Sequence, residues 1–340
     1  MSNLSEVFFS IIITTRNRPV LFKKALESVL GQDFNAFEVI VVNDGSTSEY
    51  QQAYQDLMAN YSNRVCYSAL IQRSRGHGHS YAMNHGASIA KGQYLCFLDD
   101  DDYWIDMGYL SRLYENIRQE ENPVDLYISN QNAYYSDGTK CSDVIWVEDL
   151  VDKLDFMPRL SQRAYPISLS QLLRSDGFAH LNCLVFRKEY FITIDGMDEN
   201  LRYEDDRDVY YRSIDRAQYI LYDPIVMSHH NIPIQNECNN LSTMSDPLQK
   251  RVYQLRLYEK GILYSQHEEL AKVCRYGKSN QLKFIAEDFA MRGKYYEAAS
   301  YAWQGLVVRF NIKWLLYSLY LSFRCLFVRR AKLIVRKEGV

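Results

Sequence analysis

The first half of the chain repeats one pattern: a short run of β-branched or aromatic residues, a polar turn, and then a segment whose apolar positions recur at helical spacing. Val7–Thr14 reads as a buried strand, and Pro19 suits the first turn of a helix in which Phe22, Ala25, Leu26 and Val29 share a face before Gly31 closes it. Phe37–Val42 predicts a second strand, Val65–Ile71 a third, His79 to about Ala90 a helix, and Gln93–Leu98 a fourth strand. Later strands are expected at Asp125–Asn130, Asn182–Phe186 and Tyr219–Tyr222, with a helix from the acidic turn Glu204–Asp208 to about Arg216; Tyr135–Asp176 shows no regular period. From Asp246 onward the pattern is helical, and Gly293–Val308 resembles a single helix-turn-helix repeat, too few for a solenoid. Strands alternating with helices in this way are the rhythm of a parallel α/β sheet.

In open α/β sheets ligands bind beyond the carboxyl ends of the strands. Three polar turns fall there: Thr14-Thr15-Arg16, Asn43-Asp44-Gly45-Ser46 and Asp99–Asp102. The last carries the strongest chemical signal. Adjacent carboxylates repel by roughly 3 kcal/mol per close pair at an effective dielectric near 20, so four at a strand end want a cation. While the chain stays extended, Asp99 and Asp101 point the same way and present oxygens to one Mg²⁺ or Mn²⁺.

Ser10–Arg18 (SIIITTRNR), Val39–Ser46 (VIVVNDGS), Ala82–Gly86 with Ala90-Lys91-Gly92, and Phe97–Trp104 (FLDDDDYW), in this order, resemble the family 2 nucleotide-sugar glycosyltransferases of the GT-A fold over about residues 8 to 235. The resemblance implies a Rossmann-like α/β catalytic domain over about 1–240, with a nucleotide-sugar half to about 105 and an acceptor half after it. It also implies inverting transfer from a nucleotide-diphosphate sugar, UDP favoured, with Mg²⁺ or Mn²⁺ as cofactor. Carried over residue by residue, Thr14, Thr15 and Arg18 shape the nucleotide pocket, Asp44 meets the base, and Asp99 contacts the ribose or a metal-bound water. Asp101 ligates the metal with Asp99, and Asp100 or Asp102 helps if the turn is shifted by one.

Arg75 and Asn84, on the glycine-containing stretch Arg73–His79 and the helix after it, are expected on the donor. His77, His79 and His85 lack the thiol or carboxylate spacing of a zinc site, and the third glycine of a dinucleotide fingerprint is missing. Aligning Asp208 and Arg212 with the family pattern puts Asp205-Asp206 at its Glu-Asp pair and Arg207 where an aromatic residue is usual. Asp206 is then the base that deprotonates the acceptor hydroxyl, with Asp205 and Glu204 as alternatives. In Ser228-His229-His230-Asn231, His229 is slightly favoured over His230 as a contact to metal or diphosphate. His180 and Asn182 are expected on the acceptor side; Trp104 stacks there or on the donor, or lies in the core.

Of the 340 residues 47% are hydrophobic and 24% charged, which suits a sizeable core and argues against a disordered chain. The 28 Tyr add flat amphipathic surfaces of the kind that stack on sugars and bases. A net charge of −3 gives no reason to expect a nucleic-acid partner. Seven dispersed cysteines without C-x-x-C, and no secretory signal pattern, suggest a cytoplasmic setting. The charge is segregated: residues 311–340 hold seven Lys or Arg and one acid, leaving 32 bases and 41 acids elsewhere.

Trp314–Val328 is apolar apart from Ser318, Ser322 and Arg324, too short to span a bilayer, and a basic run follows it. The 241–340 region is thus expected to be a helical appendage whose tail either lies on an anionic membrane or packs on the protein. No Q-x-x-R-W motif marks a processive synthase. The leading expectation is a non-processive transferase acting on a glycan or lipid-linked acceptor in surface polysaccharide synthesis. Rivals are a sugar-nucleotide pyrophosphorylase, whose glycine-rich first loop is missing, and a catalytically inactive sugar- or partner-binding protein.

Overall fold

The computed structural model describes residues 7–61, 64–154, 163–232 and 246–338, with side chains up to residue 326 of the last helix. It divides into two compact units, Met1–Met244 and Ser245–Val340. The boundary expected near residue 240 lies outside the described residues.

The first unit runs β1 (Phe9–Thr15), α1 (Pro19–Leu30), β2 (Phe37–Asn43), α2 (Ser48–Tyr61), β3 (Val65–Ala69), α3 (His79–Ile89), β4 (Tyr94–Asp99), β5 (Tyr103–Trp104) and α4 (Tyr109–Arg118). It continues with β6 (Leu126–Tyr134), α5 (Leu150–Lys153), β7 (Tyr165–Pro166), α6 (Leu169–Leu172), β8 (Leu184–Arg187), α7 (Lys188–Thr193), α8 (Asp205–Arg216) and β9 (Ile220–Asn231). Among the described residues nine strands form one sheet in the order β3-β2-β1-β4-β8-β6-β9-β5, with β7 paired to β9.

Strands β3, β2, β1 and β4 are parallel, as the strand-helix alternation predicts. Beyond them the sheet is mixed, because β8 lies antiparallel between β4 and β6. All seven residues of β1 are buried, since helices cover both of its faces. Ile11 and Ile13 pack in one cluster with Phe22, Leu26 and Val29 of α1, whereas Ile12, on the opposite side of the pleat, meets α3 at Gly86. Register brings the ends level: Thr14 pairs with Asp99, Thr15 with Asn43, and Asn43 with Ala69. The polar turns therefore share one edge.

Three elements differ from the sequence pattern. Helix α2 went unseen because Tyr54 is its one buried residue, so its apolar face is thin. Asn182 belongs to a 3₁₀ turn, Leu181–Cys183, before β8. Strand β9 continues through Pro224 to Asn231, where its pairing with β6 shifts register.

The second unit stacks α9 (Pro247–Tyr264), α10 (Glu268–Met291), α11 (Tyr295–Val308) and α12 (Ile312–Glu338). The Asp246 carboxylate caps α9 by accepting from the Leu248 amide at 2.8 Å, and Pro247 fills the first helical position. Ala286, Ala298, Ala302 and Leu321 form a small core. Among the described cysteines Cys66, Cys96, Cys141, Cys183, Cys274 and Cys325 are free thiols.

Because β4 carries the acidic turn, its packing underwrites the site. Leu98 is fully buried one residue before Asp99. Leu98→Ala should lower unfolding free energy by about 2–5 kcal/mol in urea titrations; a loss below about 1 kcal/mol would contradict this packing.

Candidate active site

The acidic turn is not an extended strand. It bends after β4, with the Asp102 amide donating to the Asp99 carbonyl at 3.2 Å, and this bend rather than the pleat turns Asp99 and Asp101 to one cleft of about 420 Å³. Asp100 is buried on the other side and paired with Arg18, which also holds Asp101 at 2.9 Å. One expectation is corrected here, since Asp100 does not line the cleft; Arg18 does line it and also offsets the charge of the turn. Asp102 is consumed as scaffold, accepting from Asn182 Nδ2 at 2.5 Å and from the Asn231 amide at 2.8 Å, with His230 Nδ1 at 2.7 Å.

Asn182 also accepts from the Asp99 amide at 2.9 Å, so its place is beneath the turn and not on the acceptor side. Thr15 shares a 2.7 Å hydrogen bond with the Tyr54 hydroxyl, and Thr14 is buried at the end of β1. Trp104 sits in the core, edge-on to Tyr109 with centroids 5.1 Å apart. Asn84 clamps the turn after α7, donating to the Met197 carbonyl and accepting from its amide, which removes it from the donor. Adjacent residues of a strand face opposite sides, and here that reverses the histidine preference. His229 is stacked between Tyr103 and Tyr134, at 4.5 and 4.0 Å, while His230 lines the cleft.

The loop Arg73–Gly78 folds against Asp44, whose carboxylate accepts from the amides of His77 at 2.7 Å and Gly78 at 3.0 Å. A Cβ on Gly76 would stand 2.3 Å from that carboxylate, and φ there is +64°, so glycine is required. Arg75 is exposed on the loop. His77 bonds the Ile71 carbonyl and His85 the Ser68 hydroxyl, so these histidines do not gather as a zinc site.

His79 joins the two acidic turns. Its Nε2 lies 3.0 Å from Asp99 and its Nδ1 2.8 Å from Asp205, which also accepts from the Ser80 hydroxyl at 2.9 Å. Burial opposes a charge on the imidazole, but the two carboxylates outweigh it and hold His79 well above its usual range. Burial likewise tends to raise Asp205, yet His79 and Ser80 keep it low.

Glu204 adopts a left-handed φ of 63° ahead of α8 and pairs with Arg207 at 2.8 Å. Asp206 accepts from the Arg207 backbone amide at 2.7 Å and lies 3.8 Å from His180 Nε2, but burial, then the neighbouring Asp205 and Glu204, push it up to about 7. Helix α8 is fixed by Arg212, which holds Asp208 at 2.8 Å and donates to the carbonyls of Ile194 and Gly196.

His180 connects the halves. Its Nε2 lies 3.6 Å from Asp99 and 3.8 Å from Asp206, with the Trp146 ring 4.5 Å away, and burial lowers it to about 4. His230 is raised to about 9, because Asp102 prevails over burial. Sequence reasoning missed Trp146 and Phe178, which lie in or beside the stretch without periodicity, and the bridging part of His79.

Residues 10–194 match Glycosyl transferase family 2. The chain belongs to that family. A GalNAc(5)-diNAcBac-PP-undecaprenol beta-1,3-glucosyltransferase of Campylobacter jejuni is 34% identical over 110 residues, covering 32% of this chain and 34% of that protein. The match thus spans about a third of that relative's length. A putative colanic acid biosynthesis glycosyl transferase WcaA of Escherichia coli is 37% identical over 95 residues, covering 28% and 33%. S. aureus TarS 1–349 in complex with UDP-GlcNAc superposes with a TM-score of 0.64 at 18% identity, covering 88% of this chain and 81% of the TarS 1–349 chain. The fold is accordingly the GT-A glycosyltransferase fold with C-terminal helices.

A divalent ion fits the acidic edge. Asp99, Asp101 and Asp102 offer oxygens within 4.8 Å of one another; Asp102 is spent on its scaffold, and Asp99 and Asp101 face the cleft. Such an all-oxygen set suits Mg²⁺ or Mn²⁺. Asp101→Ala should weaken Mn²⁺ binding at least about tenfold in calorimetric titration, whereas His229→Ala should leave it unchanged. The reverse ranking would overturn this placement.

Proposed function

We propose that this family 2 enzyme is an inverting, metal-dependent, non-processive transferase that moves a sugar from a UDP-sugar to a hydroxyl of a glycan or lipid-linked acceptor. One observation carries the reading: a single imidazole nitrogen of His180 lies 3.6 Å from Asp99 on the donor edge and 3.8 Å from Asp206 across the cleft. A donor held at Asp99 and Asp101 and a hydroxyl held at Asp206 would meet in one space. On this reading Thr14, Asp44 and Arg75 would serve the nucleotide, and Trp146 and Phe178, which line the cleft, would offer aromatic surface to an acceptor.

In this mechanism the acceptor oxygen attacks the anomeric carbon and its proton passes to Asp206. The bond from that carbon to the phosphate oxygen breaks, and the electron pair leaves with the nucleoside diphosphate. Asp99 and Asp101 would hold Mg²⁺ or Mn²⁺, which would supply charge stabilisation to that leaving group. A single displacement inverts the anomeric centre and needs one base, which fits a site where Glu204 and Asp205 are occupied by other partners. The donor preference is supported by TarS, whose complex holds UDP-GlcNAc, although the mannosyltransferase PcManGT from Pyrobaculum calidifontis holds GDP-Man and Mn²⁺. The Campylobacter relative is named for an undecaprenol-linked acceptor, which supports a lipid-linked one here. Family membership counts against the pyrophosphorylase alternative, and measurable transfer would exclude an inactive binding protein.

Asp206→Asn should cut kcat by about 10²–10⁴-fold with a panel of UDP-, GDP- and dTDP-sugars and Mn²⁺. The base must be ionised to accept a proton, so wild-type kcat should fall about tenfold per pH unit below the Asp206 pKa near 7 and level off above it. A variant that transfers at the wild-type rate, or a flat profile from pH 5.5 to 8, would remove Asp206 from this role.

A peripheral place on the cytoplasmic face of the membrane belongs to the same proposal. No described helix is long and apolar enough to cross a membrane. Helix α12 exposes Ile312, Leu316, Leu319, Phe323 and Leu326, a seam repeating every three or four residues on one face. Between Glu297 and Glu338 the chain has eight Lys or Arg and no acid, so a matching copy of this segment would bring like charges together, whereas anionic lipid would oppose them. Full-length protein should co-sediment with phosphatidylglycerol vesicles and not with phosphatidylcholine vesicles, and Leu316→Glu with Phe323→Glu should abolish that binding. Equal binding by the double variant, or a light-scattering mass that halves with it, would assign the seam to another partner.

A further inference from the structure

Gly78 is a second point where only glycine fits, and the side chain it makes room for has no counterpart in the family motifs described above. Its φ is +114°, and a Cβ there would lie 2.2 Å from Nη1 and 2.7 Å from Cζ of Arg202. The Arg202 guanidinium therefore rests on the loop backbone, at the same residue whose amide donates to Asp44. It lines the cleft together with Asp99, Asp101, Glu204, Asp205 and Asp206.

Despite these five acids, Arg202 has no ion pair or hydrogen bond among the described residues. The cleft's other cations are engaged: Arg18 with Asp100 and Asp101, His79 with Asp99 and Asp205, Arg207 with Glu204. A guanidinium seated by a required glycine, and left without an anion in an acidic cleft, is shaped for an anionic ligand. Its planar fork of donors matches phosphate oxygens bidentately.

We propose that Arg202 binds the diphosphate of the nucleotide-sugar donor and meets the negative charge that grows on it as the glycosidic bond breaks. This rests on the donor reading above. Two sources of phosphate exist, the donor and a lipid-linked acceptor. The donor is favoured because Arg202 lies on Gly78, whose amide donates to Asp44, the residue the donor reading assigns to the nucleotide base.

The test titrates UDP and uridine, each with Mn²⁺, into full-length wild type, Arg202→Gln and Arg202→Lys, with uridine followed by NMR line broadening. Arg202→Gln should weaken UDP by about 10- to 100-fold, the worth of one charge-assisted contact. Uridine, which lacks phosphate, should bind the variant as it binds wild type, showing an intact pocket, and Arg202→Lys should recover part of the UDP affinity. Unchanged UDP affinity overturns the inference, and if the acceptor KM rises instead, Arg202 serves the acceptor. An equal loss for uridine also overturns it, making Arg202 a support for the loop. Wild type that does not bind UDP overturns the donor reading together with this one, a result distinct from a variant that matches a binding wild type.

Discussion

The structure around the cleft depends on how it manages like charge. Two acidic turns, Asp99–Asp102 after β4 and Glu204–Asp208 at the start of α8, are brought together by the sheet, and close carboxylate pairs repel by roughly 3 kcal/mol each at about 5.5 Å and an effective dielectric near 20. The chain answers each acid separately. Arg18 takes Asp100 and Asp101, Asn182 and His230 take Asp102, His79 spans Asp99 and Asp205, and Arg207 takes Glu204. Asp206 is left with the Arg207 amide and a His180 nitrogen 3.8 Å away, so burial and the acidic neighbours Asp205 and Glu204 hold its pKa up at about 7. A base suited to pH 7 arises from what its neighbours have already claimed.

The same ledger of partners explains the role of the scaffold. His79 and Ser80 reach Asp205 because α3 begins directly after the glycine loop, and Arg212 fixes α8 through Asp208 and two carbonyls on the turn after α7. Asn84, from the middle of α3, holds that same turn. The acceptor-side helix and the donor-side loop are thereby tied through a few hydrogen bonds, so displacing either would disturb Asp205 and Asp206 together.

Much of this was legible in the sequence where local pattern decides structure. Buried strands β1, β2 and β4 announce themselves as apolar runs, and the turns after them fall at one edge because parallel strands in register must end together. The acidic turn and the acids of α8 were visible as charge that a fold needs a reason to keep. What could not be read was pairing. Asp99 and Asp101 share a side through a bend and not through strand alternation, and the phase of β9, which separates His229 from His230, depends on a register shift against β6. Asn84, Asn182 and Trp104 carry motif positions into structural duty, with hydrogen-bond partners 113, 80 and 76 residues away, beyond the reach of any local pattern. Trp146 had no periodic context to announce it.

Charge also limits what can enter. The proposed nucleoside diphosphate would bring its own negative charge to a cleft lined by five acids, and simple Coulomb repulsion would exclude it unless new positive charge met it there. Arg18, His79 and Arg207 are already committed, so releasing one would strand a buried or half-buried carboxylate at a cost of several kcal/mol. On the proposed reading the new positive charge would come from a divalent ion held by Asp99 and Asp101 and from the guanidinium of Arg202. Asp99, Asp101 and Arg202 line the cleft together with Asp206, which lies 3.8 Å from His180. Positive charge on the leaving group and an ionisable carboxylate on the attacking oxygen are the two poles a single displacement needs. Their separation follows from which acids the fold had already paired.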